Sequence, residues 1–495
     1  MSKHNYFVIF LRKINLLINS LLKKYLNKLN FNNLSKIVLS NKVLLTFVGL
    51  VIVCLSYLLI PHIYQKVEIR QELENQLLDK FDLNFNLSKN LNYNFFPRPH
   101  FVIDSAFILE NQLEISNIKK LHIFVSLNNL FSLKNISIKG VILENSNFYF
   151  NKNNSDFFIK LLDKNFIKNS FVIENSNVFF KNNEKEVLFI NKIIKMEYYH
   201  DLKELKNIIS SENEIFNIPY SLELYKNAEK KIFSKINLNF LKLQIENEID
   251  YYNNDKKGLL DIIYNKYKSK ATYELNKNIF SFNYFDKSKN PDFIYDGKVN
   301  FNPFFSNLKG KVNNLDLSTL FNSDLFFVKI FKTEVLNNKN LNINLSIGAN
   351  QIKQYQNFIN IFFNFKILEG LIDIDETKFS WNDYVNFEII DSLLYVNENQ
   401  LNLDGKLLVN IKNYNEIYKS LQISKNSRPQ LNKLEFNFNY NFDQQIMNLN
   451  TIKINDETNK EVNDVLKKII LKRNKLQNQI YLKNIMKDAL NAYSG

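Results

Sequence analysis

Leu434-Glu-Phe-Asn-Phe-Asn-Tyr-Asn-Phe442 alternates oily and polar side chains without a break. Successive Cβ atoms of a strand point to opposite faces, so this stretch makes one greasy face and one wet face. The same period of two runs through Ile236-Asn-Leu-Asn-Phe240 and Leu341-Asn-Ile-Asn-Leu-Ser-Ile347. Parallel strands buried on both faces would read as continuous apolar runs, so the alternation predicts antiparallel sheet. Strand follows strand along most of the chain. Helical patterns before the C-terminus are brief, near 157–164 and 414–421.

An internal echo sits early in this region. Val141-Ile-Leu-Glu-Asn-Ser-Asn-Phe-Tyr-Phe150 returns as Phe171-Val-Ile-Glu-Asn-Ser-Asn-Val-Phe-Phe180. Asn and Ser between two apolar runs suit a tight hairpin turn, and the duplication suggests a sheet that grows by adding similar hairpins.

The N-terminal end is of another kind. Val43 to Ile60 is free of charge and stops at Pro61. At helical rise it spans about 27 Å, enough for a hydrocarbon core. It is too long and too far into the chain for a signal peptide, and no small-residue cleavage site follows. Residues 1–42 carry eight Lys/Arg and no Asp or Glu. Positive-inside bias then leaves this segment in the cytoplasm and sends the rest across. Within it, Ile14, Leu17, Ile18, Leu21, Leu22, Tyr25, Leu26 and Leu29 recur at helical spacing among lysines, an amphipathic helix suited to an anionic leaflet or a partner. After Pro61 a helix is expected from Ile63 to Phe81, with Ile63, Val67, Leu73, Leu77 and Leu78 as its stripe.

The other end also reads as a helix, over 457–495. Thr458-x-x-Glu461 forms a capping box, and Val462, Val465, Leu466, Ile469, Leu476, Ile480 and Leu490 share one face. The reading is a helix packed on the domain. Its basic residues Lys467, Lys468, Lys472, Arg473 and Lys475 leave contact with acidic lipid or a partner open. The chain thus divides into a basic segment (1–42), an anchor (43–60), a β domain (61–456) and the terminal helix (457–495).

Composition narrows the chemistry. Net charge is +14, but setting aside the eight basic residues of the N-terminal segment leaves 56 of the 64 Lys/Arg against 50 Asp/Glu. The basic excess is mostly a topology device, and a nucleic-acid partner loses its support. Cys54 is the single cysteine, which excludes an intrachain disulfide or thiolate metal site. His4, His62, His100, His122 and His200 show no metal-ligand spacing, and no phosphate-binding glycine motif occurs among the nine glycines. Asp373 and Asp375 would share one side of a strand, an arrangement that a paired-carboxylate enzyme could use but that a solvated edge uses more often. The reading is a non-enzyme without cofactor or metal.

An anchor ending in proline, a charged helix and then Leu91-Asn-Tyr-Asn-Phe-Phe-Pro-Arg-Pro-His-Phe101 resemble the N-terminal region of the AsmA family of Gram-negative envelope proteins. The residues that carry its Phe-Pro-x-Pro element are Phe96, Pro97 and Pro99. The Ile-Glu-Asn-Ser-Asn pair is similar to the family's hairpins, with Ser146 and Ser176 where glycine is usual. Ile372–Trp381 and Leu401–Leu407 resemble its C-terminal repeats. The resemblance runs over about residues 43–450 and implies an inner-membrane anchor carrying an elongated, curved antiparallel β-sheet groove in the periplasm. It further implies a role in outer-membrane assembly and phospholipid movement, with no catalytic residues.

A sheet with one apolar face must cover it, either with a second protein layer or by curling around acyl chains, and periodicity is the same in both cases. On the second choice the groove is lined by Ile136, Ile138, Leu238, Phe240, Val299, Phe301, Ile343, Leu345, Phe436 and Phe438. The expected partners are phospholipid, the inner membrane and envelope proteins that complete a path. The alternative is a non-transporting scaffold or assembly factor for outer-membrane proteins.

Overall fold

The structure is a computed structural model describing residues 42–494 apart from 111, 129, 152–153, 155, 164–169, 182–185, 228–230, 254–255, 265–266, 277–278, 286–293, 302–303, 316–325, 334–337, 354, 426–427, 468–469, 473–474 and 476–477. The period of two resolves into long strands such as Val187–Asp201. Among the described residues 26 strands form one sheet. From His100–Glu110 to Ile446–Ile454 each strand pairs with the next in the chain, except that the short strands Leu371–Asp373 and Lys378–Trp381 lie in line between Tyr355–Leu368 and Val385–Asn397. Asn84–Leu87 and Leu91–Asn94 share one outer edge, and Glu457–Thr458 and Ile470–Lys472 share the other. At ~4.8 Å per strand such a ribbon extends on the order of 100 Å.

The sheet is mainly antiparallel but mixed, which corrects the all-antiparallel expectation. Ile138–Phe150 runs parallel to Ser170–Lys181, and Phe304–Leu315 runs parallel to Asn342–Ile352. Parallel neighbours need a crossover, and each crossover here carries a short helix. In chain order the helices are α1 (Lys42–Leu59), α2 (Lys66–Phe81), α3 (Phe157–Leu161), α4 (Phe326–Phe331), α5 (Tyr414–Ser420), α6 (Lys460–Lys467) and α7 (Gln479–Ser494). The crossover helices are α3 and α4.

The two Glu-Asn-Ser-Asn copies are not hairpin turns. They lie mid-strand and side by side in the first parallel pair, with Leu143 beside Ile173 and Phe148 beside Val178. Asn145 (φ 54°) and Asn175 (φ 47°) adopt the left-handed conformation that asparagine tolerates. Inward positions therefore shift phase, from Val141 and Leu143 to Ser146 and Phe148. Ser105 (φ 74°) makes the same break two strands away, so the irregularities line up as a crease across the sheet. Ser176 Oγ holds it, accepting from Ser146 N at 2.9 Å and donating to Glu174 O at 2.7 Å.

One face of the ribbon is mainly apolar along its length, broken by a polar patch at Ser234 and Asn247. Directly opposed residues trace it from Val141 through Phe171, Tyr198, Ile209 and Leu224. Further on it passes Leu260, Ala271, Tyr284, Tyr295, Gly310 and Ile347. The other face carries cross-strand ion pairs such as Lys235–Glu246 and Lys257–Glu274.

Both ends of the apolar face are sealed. Helix α2 lays Ile69, Leu73, Leu77 and Phe81 on it, all 0–2% exposed. Ile63, Val67 and Leu78 of the expected stripe are exposed instead, because the sheet meets the helix a few positions round. Helices α5, α6 and α7 cover the other end around Tyr418, Ile452 and Leu466. The C-terminal region is not one helix. Ile470–Lys472 leaves the helical path to pair with Ile446–Asn448, satisfying an edge that would otherwise be open. Asn459, not Thr458, caps α6 by accepting from Val462 N at 3.0 Å, while Thr458 belongs to an edge strand.

Candidate functional site: an apolar trough

Between the sealed ends lie the strands from Ile218 to Leu315. Their apolar face is only partly covered: Leu222, Ile236, Ile245, Ile262, Phe280, Phe282, Tyr295 and Leu308 retain partial exposure, while Ile232, Ile249 and Tyr273 form a small buried cluster. On the same face near the N-terminus, Leu143, Phe148 and Phe171 are 0% exposed. The difference is a covering layer. Among the described residues no helix packs over the central part of this stretch; α3 reaches its near edge through Ile159. The result is a stretch of apolar sheet face left partly open among the described residues, a candidate trough with an oily floor.

Glycines and rings shape that floor. A Cβ at Gly258 would stand 2.2 Å from the Tyr273 ring, one at Gly297 would stand 2.3 Å from Phe282, and one at Gly310 would stand 2.5 Å from Tyr295. Each ring occupies the space over a glycine on a neighbouring strand instead of projecting into the trough. The polar groups on the floor answer one another. Tyr273 Oη donates to Asn247 Oδ1 at 2.5 Å, and Asn247 Nδ2 donates to Ser234 Oγ at 3.2 Å. Burial pushes the Tyr273 phenol up to about 12, so it stays a neutral donor.

The ribbon curls across this region. Helix α4 packs on the later strands, with Phe331 5.4 Å from Phe365. It also reaches back to an earlier hairpin, where Lys329 Nζ donates to Phe240 O at 3.3 Å. Beyond it, Asn338 Nδ2 donates to Leu188 O at 2.8 Å, across 150 residues of chain.

The sequence-derived lining residues divide accordingly. Leu238, Val299, Ile343 and Leu345 lie on the apolar face and are half-buried; Ile343 and Leu345 border the cluster under α4. Phe436 is half-buried and belongs to the C-terminal core. Ile136 and Ile138 are corrected: at 2% and 0% exposure they lie within the core sealed by α2, and Ile136 precedes its strand. Phe438 is likewise buried, at 7%, beside Gly405. Phe240 is not in a strand but in a tight turn that ends at Lys242 (φ 52°), with 47% exposure. The Phe301 side chain lies outside the described residues. Phe96, Pro97 and Pro99 lie in a loop between two strands, where Phe96 and Pro97 are exposed and Pro99 is buried. The glycine–ring pairs were missed; their signal is a glycine on inward parity directly opposite an aromatic residue.

Other candidates resolve into local structure. Asp375 Oδ1 accepts from Ser392 N at 2.7 Å and from its hydroxyl, and Asp373 Oδ1 accepts from Asp375 N at 3.1 Å. These carboxylates hold a second strand irregularity at Asp391 (φ 48°). The His100 and His122 rings lie 5.5 Å apart and tilted, with Glu144 3.5 Å from His122 Nε2; burial lowers the His122 pKa. A depression of about 640 Å³ lies mainly on the polar face, lined by Lys231, Glu248, Lys257 and Glu274. Four of its charges form two ion pairs, Lys231 with Glu248 at 2.6 Å and Lys257 with Glu274 at 3.2 Å.

At the N-terminal end α1 is 18 residues long. Among the described residues no single helix is long and apolar enough to cross a membrane, but Thr46–His62 and Lys66–Phe81, which meet at 84°, pass together by length and composition. The basic segment before residue 42 lies outside the described residues. No protein-family model and no curated protein matches the chain.

Proposed function

We propose that this chain is an AsmA-like protein of the Gram-negative envelope, anchored in the inner membrane by α1. Its periplasmic β ribbon binds phospholipid and conducts it along the trough, in the service of outer-membrane assembly and lipid homeostasis. The observation that carries the reading is the half-exposed apolar floor between two helix-sealed ends. An acyl chain on that floor avoids about 0.8 kcal/mol per methylene of exposure to water. A sixteen-carbon chain gains on the order of ten kcal/mol in this way, with no nucleophile, metal or cofactor required. The basic N-terminal segment and the uncharged run after it support the cytoplasm-to-periplasm orientation.

Leu259 and Leu260 supply the test, because they are adjacent and face opposite sides of one strand. A photoreactive residue at 260 or 345 is expected to capture phospholipid, and one at 259 or 344 is not. Equal capture at all four positions would overturn the trough. The sealed cores at the two ends suit the second reading, an anchored scaffold that works through its surface. Native mass spectrometry of the detergent-purified chain separates the two: bound phospholipid supports the first, and a lipid-free protein the second.

A further inference from the structure

Helix α1 ends beside loops that carry large exposed apolar side chains. Tyr57, in its last turn, donates to Leu127 O at 2.6 Å and accepts from Leu130 N at 3.2 Å. Its ring lies 4.8 Å from Phe131. Tyr64 ties down the same loop by donating to Leu130 O at 2.8 Å. Pro99 O accepts from Val125 N at 3.0 Å, which sets the 95–99 loop alongside. On these segments Ile63, Phe131 and Phe96 are 82%, 72% and 70% exposed.

Charge identifies what covers them. Segments 59–66, 95–99 and 126–135 contain Lys66, Arg98 and Lys134 and no Asp or Glu. Apolar tips set among cations, with no acid, complement an anionic bilayer surface: rings enter the acyl boundary while cations meet the headgroups. The loops lie at the C-terminal end of α1, the level at which a helix of about 27 Å leaves the hydrocarbon. The 84° bend into α2 then turns the chain along the surface.

We propose that these three segments form a membrane-interface seat. It inserts Phe96 and Phe131 into the headgroup boundary of an anionic bilayer and holds the N-terminal end of the ribbon against it. The proposal rests on α1 being the anchor.

The full chain carrying Trp381→Phe is reconstituted in vesicles of phosphatidylethanolamine and phosphatidylglycerol with brominated acyl chains, which quench tryptophan on contact. Phe131→Trp and Phe96→Trp are compared with Leu113→Trp, at the opposite end of the Leu113–Val125 strand, about 40 Å away. Emission from 131 and 96 is expected to fall at least about twofold relative to unbrominated vesicles, and emission from 113 to hold. Quenching at 131 and 96 no greater than at 113 overturns the seat. Alkaline carbonate treatment of the unsubstituted chain separates the two ideas: release from the vesicles overturns the anchor, and retention without quenching at 96 and 131 overturns the seat alone.

Discussion

The Tyr273 ring occupies the space in which residue 258 would carry a Cβ, so Gly258 and Tyr273 share one side chain between two strand positions. Gly348 is the contrast, with no atom nearer than Gly310 O at 4.0 Å. Gly258→Ala must displace the ring or the strand and is expected to destabilise the fold by about 1–3 kcal/mol. Gly348→Ala is expected to stay within about 0.5 kcal/mol of the parent. Denaturant unfolding of both variants checks the pair, and equal losses would contradict this account of the floor.

The crease gives an asymmetric prediction. Ser176 Oγ satisfies the Ser146 amide, whereas Ser146 Oγ is buried with no hydrogen-bond partner among the described residues. Ser176→Ala strands a buried N–H and is expected to cost about 1–3 kcal/mol. Ser146→Ala removes an unpaired hydroxyl and is expected to be neutral or stabilising. Thermal melts of the two single variants read the difference, although the serines occupy equivalent places in duplicate sequences.

Those serines also mark the limit of the sequence reading. The period of two identifies strands because a pleat alternates faces, and it located Leu434–Phe442 and Leu341–Ile347 well. It carries no information on which neighbour a strand pairs with. The duplicate Glu-Asn-Ser-Asn segments therefore read as turns, while Asn145 and Asn175 use the left-handed conformation inside two parallel strands. Coverage is equally silent: Ile138 and Leu238 have the same local pattern, and only the packing of α2 over the first makes one sealed and the other half-open. The helix after Pro61 is legible, and so is half of its buried side, Leu73 and Leu77; Ile69 and Phe81, which complete it, lie outside the expected stripe.

Lys332, at the end of the α4 turn, pairs with Asp443 and so ties the second crossover to a hairpin of the later strands. Burial works to raise the Asp443 carboxyl, but the Lys332 ammonium and the Leu401 amide outweigh it and hold its pKa below the usual carboxylate range. A depressed acid stabilises the fold above its unfolded pKa and loses that contribution as pH falls through its folded pKa. Asp443→Asn is therefore expected to lower the melting temperature at neutral pH, with the gap to the parent closing in acid. Asp373 has the opposite sign, since burial raises its pKa. Its contribution is present below the unfolded pKa and lost as pH rises through the folded one, so Asp373→Asn is expected to raise stability at neutral pH. Melting curves from mildly acidic to neutral buffer test both signs.

A charge placed on the floor distinguishes an open trough from a closed core. Ile245 and Ile262 oppose each other in mid-trough and keep partial exposure, so a carboxylate there remains in contact with water. Leu143 is 0% exposed beneath α2, where an unpaired carboxylate must be protonated or leave. Ile262→Asp is expected to cost no more than about 2 kcal/mol and to leave a folded chain, whereas Leu143→Asp falls among the rare losses above about 4 kcal/mol. Measured by soluble yield and denaturant midpoint, comparable collapse of the two variants would mean that protein covers the middle of the ribbon as it covers the ends. Retention of the Ile262→Asp fold together with loss of phospholipid capture at position 260 would tie the open floor to lipid, because the substitution removes apolar contact from the path without removing the sheet that forms it.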